Sequence, residues 1–333
     1  MSDNQEKPPV VNTNPATDDK LDSGIETQVT EAIDVPVLRV RSQRKRLFQT
    51  FIRNRPAILG LVLMLLVLFT AVFADDWFIA IFQGREPQPL LAPYDPLIQD
   101  TRNRLAPPSR EHPMGLDSYG RDTLSRIIYG ARISLMVGIF AVIIGGVVGA
   151  LMGLVGGYQG GKSENLLMRA TDVLMAFPSL IMGLMVLAVL GGGLFNMILA
   201  IGIVLTPTFA RIAHGSTLTV KQNEYVEAAR SIGSGNFRIA RVHVLPNITS
   251  ELVVLASIWI ATAIRVEANL SFIGLGVSPP TPAWGSMIRD GTQFLFDAPW
   301  VSFFPGMAIL ITVLAFNLLG DGLRDVFDPK LQR

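Results

Sequence analysis

Residues 224–246 read EYVEAARSIGSGNFRIARVHVLP, a polar stretch between two apolar segments that are each long enough to cross a bilayer. Apolar side chains recur at helical spacing in both halves, and Gly233 and Gly235 separate the halves. The pattern predicts two short amphipathic helices joined by a tight turn. Helices this short cannot bury their own apolar faces, so the hairpin needs a partner to pack against.

Both arms of this hairpin carry signals for where a helix begins and ends. The predicted apolar stripes are Tyr225, Ala228, Ala229 and Ile232 in the first arm, and Phe237, Ala240 and Val244 in the second. Gly233 stands where a left-handed residue would end the first helix. We expect Asn236 to cap the second helix and Pro246 to stop it.

Composition places the chain among membrane proteins. Half of its residues are hydrophobic, only 17% are charged, and the mean hydropathy is positive, which is unusual for a soluble protein. The net charge of +1 says nothing about nucleic acid, but no basic face interleaved with aromatics appears, and we expect no nucleic acid as a partner. The chain has no cysteine, and its three histidines are far apart in sequence. We therefore expect no disulfide, no metal site and no bound cofactor.

The apolar pattern predicts about six membrane spans. They cover about 57–74, 133–158, 248–264 and 301–319, with two more inside the uncharged stretch 173–210, which the glycines at 191–193 divide. A short polar loop is expected between the second and third spans. The predicted fold class is therefore an all-α, multi-pass membrane protein.

Charge and composition divide the rest of the chain. We expect a disordered cytosolic tail at 1–38, a basic segment and the first span at 39–74, and a large periplasmic loop at 75–132 that leads into the second span. The transmembrane core then covers 133–320, with the hairpin at 219–246, and a cytosolic tail follows at 321–333. The positive-inside rule and the even number of spans put both termini and the hairpin in the cytosol.

The second span carries a ladder of small residues. Gly145, Gly149, Gly153 and Gly157 recur every four residues and so share one helix face. Without side chains on that face, another helix can approach closely. The ladder predicts a tightly packed core helix or a helix at a subunit interface.

Residues 156–163 read GGYQGGKS and match the phosphate-binding loop pattern of nucleotide hydrolases. That loop works only between a buried parallel strand and a helix N-terminus. Here it follows a membrane helix, and no alternation of strands and helices surrounds it. We interpret it as a turn at the membrane interface, and we expect ATP and magnesium to bind other subunits.

Three charged residues flank the fifth predicted span, namely Glu251, Arg265 and Glu267. All three lie near predicted helix ends, where side chains can reach the interface. Since buried charge in a bilayer is often functional, a role for Glu267 in a gate or in the translocation path is the alternative.

Four further motifs accompany the hairpin, which itself resembles the EAA loop of ABC importer permeases. They are HPMGLDSYGRDTLSRIIYGARISL at 112–135, AFPS at 176–179, LSFIGLGVSPPTPAWG at 270–285 and FNLLGDGLRDVFDP at 316–329. Over about residues 108–329 the chain resembles the second permease of dipeptide and oligopeptide ABC importers, the DppC/OppC branch. His243 departs from the general importer pattern, which has isoleucine there, but the peptide branch often has histidine.

This resemblance implies a type I, MetI-like permease fold with a cytosolic coupling hairpin and a bacterial inner-membrane location. It implies that the chain works with a homologous second permease, two ATPase subunits and a periplasmic substrate-binding protein. The residues that it assigns to ATPase coupling are Glu224, Glu227, Ala228, Ala229, Gly233, Leu245 and Pro246. We also expect the outer loop and the segment 272–300 to receive the binding protein.

The expected function is non-catalytic passage of dipeptides or oligopeptides across the inner membrane. Nickel, glutathione and opine importers share this permease branch, so the cargo stays open at this point. A secondary transporter is the rival class. It is disfavoured because the second to fourth spans lack carboxylates and no internal repeat is evident.

Overall fold

The computed structural model describes residues 51–84 and 86–327 of the chain, and the predicted tail at 1–38 lies outside them. Within this part the regular secondary structure is helical, apart from two isolated β-bridges. The helices are α1 (Arg55–Val72), α2 (Trp77–Gln83), α3 (Thr123–Gln159), α4 (Gly161–Met175), α5 (Ser179–Leu190), α6 (Leu194–Val220), α7 (Glu224–Ser231), α8 (Asn236–Ile239), α9 (Leu245–Ile273), α10 (Trp284–Thr292) and α11 (Trp300–Phe327).

Five helical segments of the described chain are long and apolar enough to cross a membrane. They are α1, α3, α6, α11 and the continuous segment Asn236–Ile273, which joins α8 to α9. The pair α4 and α5 meets the same criteria only when taken together, and it is bent by 96°. Counted as one broken span, this pair brings the number to six, which agrees with the predicted fold class.

The second span begins earlier than the sequence pattern predicts. Helix α3 starts at Thr123 rather than near residue 133, because the Asp122 side chain accepts a hydrogen bond from the Ser125 N–H at 2.7 Å and so caps it. The sequence pattern places Arg132 at the end of the outer loop, but the residue lies in α3 and forms an ion pair with Asp75 at 2.8 Å. Its Nε also donates to the Ala71 carbonyl, at 3.0 Å.

The loop predicted after the second span is wrong, since α4 occupies it. Two contacts to α6 hold α4 in place: His214 Nε2 lies 2.8 Å from Glu164 Oε1, and Arg211 pairs with Asp172 at 2.7 Å. Helix α5 is also shorter than a full span. The predicted break at residues 191–193 is where α5 and α6 separate, and Gly191 there has a φ of +83°.

The glycine ladder of α3 packs against α6. A Cβ added to Gly145 would lie 2.7 Å from the Gly202 carbonyl oxygen, and one added to Gly149 would lie 2.5 Å from the Thr206 carbonyl oxygen. The corresponding neighbours of the next two rungs are the carbonyl oxygens of Ala210, for Gly153, and of His214, for Gly157. The contact therefore runs backbone to backbone over three turns, which forms the core of the bundle.

Helices α1 and α11 pair along their lengths. A Cβ on Gly60 would lie 2.7 Å from Leu318 Cβ, and the Asn54 side-chain amide donates to Asp325 at 2.9 Å. Helix α11 continues to Phe327. The first residues of the predicted C-terminal tail are therefore helical, and residues 328–333 lie outside the described chain.

The segment between α1 and α3 is largely irregular and is tied to the chain before α11. The indole of Trp300, the first residue of α11, donates to the Leu116 carbonyl of this segment at 3.4 Å. The Trp284 indole donates to the Ile127 carbonyl, near the start of α3, at 2.9 Å. At its surface the Asn103 amide donates to Asp100 at 2.8 Å, and this hydrogen bond lowers the pKa of that carboxyl. Residues 73–122 and the segment 274–300 thus share one end of the molecule.

Candidate functional site

The first arm of the hairpin ends at Gly233. Helix α7 stops at Ser231, and Gly233 follows with a φ of +83°. Its N–H donates to the Arg230 carbonyl at 3.0 Å, while the Ser234 N–H donates to the Ala229 carbonyl at 3.1 Å. These two bonds form a Schellman motif, in which glycine carries the left-handed residue without a Cβ penalty.

The second arm differs from the prediction in both its start and its end. Gly235 is the N-cap of α8, and the Asn236 side chain instead accepts a hydrogen bond from the Tyr158 hydroxyl at 3.3 Å. Pro246 does not stop the helix. A π-helical turn at Ala240–Val244 precedes it, in which the Leu245 N–H donates to the Ala240 carbonyl. Proline is tolerated in the first turn of α9, so the arm runs on into the span.

The buried face of the hairpin anchors it to the bundle. Val226, Ile239 and Val244 have no exposed surface, and they pack with Leu154 of α3 and Ala213 of α6. The sequence reasoning included Val244 and Ala229 in its stripes, but it missed Val226 and Ile239, although Val226 and Ala229 stand at helical spacing. It chose the larger side chains of the neighbouring face instead.

The opposite face of the hairpin is apolar and exposed. Ile232 is 83% exposed and Phe237 is 79% exposed, with Tyr225, Ala228 and Val242 exposed beside them. Of the predicted stripe in the first arm, only Ala229 is buried. Neighbouring apolar side chains exposed at the end of a polar hairpin indicate a surface that another protein covers.

A polar cleft of about 380 Å³ lies beside this apolar face. It is lined by Tyr158, Lys221, Gln222, Glu227 and Arg230. The Ser231 hydroxyl bonds the Glu227 backbone carbonyl at 3.0 Å, and within the described chain the Glu227 carboxylate forms no ion pair. The carboxylate is therefore available to a basic group from outside the chain.

The other predicted coupling residues lie around this surface. Glu224 is exposed in the first turn of α7, where the helix dipole favours a carboxylate. Leu245 is half-buried and packs with the buried cluster, while Pro246 is exposed. The structure thus brings the predicted set together at one end of the bundle.

The motif at 156–163 is the junction between α3 and α4. Gly160 and Gly161 have φ values of +70° and +61°, and they turn the chain directly from one helix into the next. No strand precedes the motif in the described residues, so the strand–loop–helix arrangement of a phosphate site is missing there. The sequence-based interpretation as a turn agrees with this geometry.

The prediction that Arg265 and Glu267 lie near a helix end is wrong, because α9 extends to Ile273. Glu267 is fully buried, and its carboxylate accepts hydrogen bonds from the hydroxyls of Ser134 at 3.1 Å and Ser271 at 2.7 Å. It links α9 to α3 in this conformation. Glu251 lies nearer the hairpin and accepts from Ser216 of α6.

Comparison with known proteins decides the family. Residues 145–333 match the model of the binding-protein-dependent transport system inner membrane component. Residues 42–108 match that of the N-terminal transmembrane domain of oligopeptide transport permease C. The chain belongs to the binding-protein-dependent transport permeases. It is an inner-membrane, multi-pass permease of the DppC/OppC branch.

The permease has relatives named as glutathione transport system permease protein GsiD. It is 43% identical over 295 residues to that of Escherichia coli O6:K15:H31, covering 88% of this chain and 93% of the relative. It is 41% identical over 302 residues to that of Pectobacterium atrosepticum, covering 90% and 96%.

A solved structure shares the fold. It is described as an inward-facing conformation of the MetNI methionine ABC transporter, and it matches with a TM-score of 0.50 at 19% identity. The match covers 61% of this chain and 97% of that one. The permease therefore has the type I, MetI-like fold that the sequence motifs implied.

Proposed function

We propose that this permease is the DppC/OppC-type subunit of an ATP-driven importer that carries short peptides, with glutathione as the first cargo to test. The observation that carries the proposal is the exposed apolar face of the hairpin, with Ile232 and Phe237 at its centre. Membership of the binding-protein-dependent transport permeases supports the assignment to an importer. The names of the relatives support a cargo of the glutathione type, since glutathione is itself a peptide-like molecule.

The hairpin serves as the contact with an ATPase subunit. Its apolar face consists of a few large exposed side chains, and the adjoining cleft presents the Glu227 carboxylate beside Lys221 and Arg230. An ATPase groove with apolar walls and a basic residue complements both features. The exposed Ala228 adds no bulk to that face, which permits close approach.

Movement of the hairpin reaches the membrane part through α9. The second arm continues without a break into that span, and the buried cluster around Val226 and Ile239 joins the hairpin to α3 and α6. A displacement of the ATPase therefore moves these helices together. Such a rigid-body switch changes access to the pathway and needs no chemistry within this chain.

The remaining subunits follow from this assignment. A homologous second permease completes the pathway, and two ATPase subunits bind ATP and magnesium. A periplasmic binding protein delivers the cargo to the end formed by residues 73–122 and 274–300. The hairpin and both termini face the cytosol, in keeping with the basic residues before α1.

The docking proposal is tested by co-purification of the ATPase subunits with permease variants. Phe237→Asp places a charge in the exposed apolar face, so ATPase recovery should fall about tenfold or more, as for loss of a central apolar contact at an interface. The matched control is Phe296→Asp at the opposite end, where the side chain is 99% exposed. Equal ATPase recovery with both variants would contradict the docking assignment.

Cargo is tested separately, by calorimetry on the binding protein of the same system. Binding of glutathione or dipeptides supports the proposal. Binding of a nickel chelate or an opine, without affinity for peptides, would overturn the peptide assignment while leaving the importer assignment intact.

A further inference from the structure

Arg265 is an exposed cation inside a membrane-spanning helix. It lies about two turns before α9 ends at Ile273, so its Cα is about 12 Å inside that end. Its guanidinium Nη2 donates to the Thr262 hydroxyl at 3.1 Å. Within the described residues no carboxylate forms an ion pair with it, whereas Arg132 near the start of α3 is paired with Asp75.

An unpaired guanidinium at this depth cannot face lipid tails without a large cost. Charged side chains in membrane helices almost always face the bundle interior or a water-filled cavity, and they often mark the path of a substrate or ion. The buried neighbour Glu267 points into the helix bundle and bonds two hydroxyls, so it does not neutralise Arg265. The exposed side of α9 at this level therefore borders an aqueous or ligand-filled space.

A cleft on that side of the bundle has suitable chemistry. It measures about 240 Å³ and lies between α5, α6 and α9, next to the Thr262 side chain that Arg265 contacts. Its walls are mainly apolar, with Met182, Pro207 and Trp259 among them. Three hydroxyl side chains also line it, those of Ser179, Thr208 and Thr262.

Two of these hydroxyls are free to bind a ligand. Two other threonines of the spans bond their own helix, Thr206 to the Gly202 carbonyl at 2.8 Å and Thr312 to the Ala308 carbonyl at 2.8 Å. Thr208 and Ser179 form no such side-chain bond within residues 51–84 and 86–327. The cleft thus combines apolar walls, free hydroxyls and a cation at its rim.

We propose that this cleft is the part of the cargo pathway that this chain contributes, and that Arg265 binds a carboxylate of the cargo there. The proposal rests on the function proposed above and specifies it, because it predicts preference for cargo with a free carboxylate. A lipid phosphate fits less well, since headgroups lie at the bilayer surface and Arg265 lies about two helical turns inside the end of α9.

The first test measures the local charge with thiol reagents and does not depend on transport. The chain has no native cysteine, so Thr208→Cys gives this chain a single thiol, and reaction is read on this chain after the labelled importer complex is separated into subunits. The measured quantity is the ratio of two reaction rates, that of a sulfonate-bearing methanethiosulfonate and that of its trimethylammonium analogue. This ratio should be about fivefold higher at Thr208→Cys than at Asn103→Cys on the outer segment. Adding Arg265→Gln should remove this preference, and Arg265→Lys should keep it.

The second test measures uptake in vesicles that contain the full complex and the binding protein. Arg265→Gln should lower glutathione uptake about tenfold while ATP hydrolysis stimulated by the binding protein persists. Arg265→Lys should restore most of the uptake. Arg211→Gln is the control, because it removes an arginine of α6 that already pairs with Asp172.

Each contrary result has a distinct meaning. A preference for the anionic reagent that is unchanged in Arg265→Gln overturns the proposal, as does wild-type uptake by that variant. Loss of the second permease from purified Arg265→Gln also overturns it, since Arg265 would then pair with the partner. If the wild type carries neither glutathione nor dialanine, the proposed cargo is wrong, and the reagent preference still decides the role of Arg265.

Discussion

Gly233 is the residue of the hairpin whose backbone conformation favours glycine. Its φ is +83°, yet a Cβ added there would meet no atom within 4 Å. The cost of substitution is therefore conformational rather than steric. We expect Gly233→Val to destabilise the turn by about 1 kcal/mol or more and to weaken ATPase co-purification, with a larger loss when Glu227→Lys is added.

Gly215 provides the control for this prediction. It lies inside α6 with equally open space around it and a helical backbone, so Gly215→Val should leave ATPase recovery unchanged. Normal ATPase binding and uptake by the double variant at positions 233 and 227 would refute the coupling role of the hairpin.

At the scale of elements, the contact between α3 and α6 depends on the absence of side chains along one helix face. Gly149→Ala would bring a Cβ to 2.5 Å from the Thr206 carbonyl oxygen and 2.6 Å from Phe209 Cβ. The two helices must separate to accommodate it, which should cost about 1–3 kcal/mol. A melting curve of the purified complex in detergent would show the loss as a lower midpoint.

The neighbouring Gly146 makes this comparison specific. A Cβ there would lie 3.6 Å from the Phe209 ring, an ordinary van der Waals distance. Gly146→Ala should therefore melt close to the wild type. Equal midpoints for the substitutions at 146 and 149 would show that the close approach is not required.

The elements were predictable where local chemistry decides them. The apolar runs, the glycine break at 191–193 and the left-handed Gly233 all act over a few residues. The errors arise where contacts that the local sequence does not show change the stability of a helix. The charge of Arg132 suggested a loop, but Asp75 neutralises that charge at the membrane end of the chain's second span. Pro246 was expected to end the helix, but it follows a π-helical turn and lies in the first turn of α9, where the missing N–H is tolerated.

The same reason explains what was missed at the site. Sequence spacing found the hairpin, but it could not show which of two neighbouring apolar faces would be buried against α3 and α6. It also placed Arg265 and Glu267 at a helix end, because two charges so close together resemble a boundary. Glu267 is tolerated inside the bundle only because Ser134 and Ser271 donate to it.

At the scale of the whole molecule, the proposed orientation can be tested with two cysteine substitutions. Tyr94 belongs to the segment between α1 and α3, and its side chain is 40% exposed. Tyr94→Cys in intact inner-membrane preparations should react with an impermeant thiol reagent added outside. Ile232→Cys in the hairpin should react only after the cytosolic side is opened, and the reverse pattern would invert the topology.

The pairing of α1 with α11 has a consequence for biosynthesis. Helix α1 ends at Val72 and its partner begins at Trp300, so the ribosome makes α1 well before α11. At about 5–20 residues per second, α1 waits for roughly ten to fifty seconds without the surface that later covers Gly60. During that time the face that α11 later covers is exposed to lipid, which suits a helix that contains no charged residue after Arg55. Closure of the bundle by this pair is therefore a late event, which must wait for the synthesis of α11.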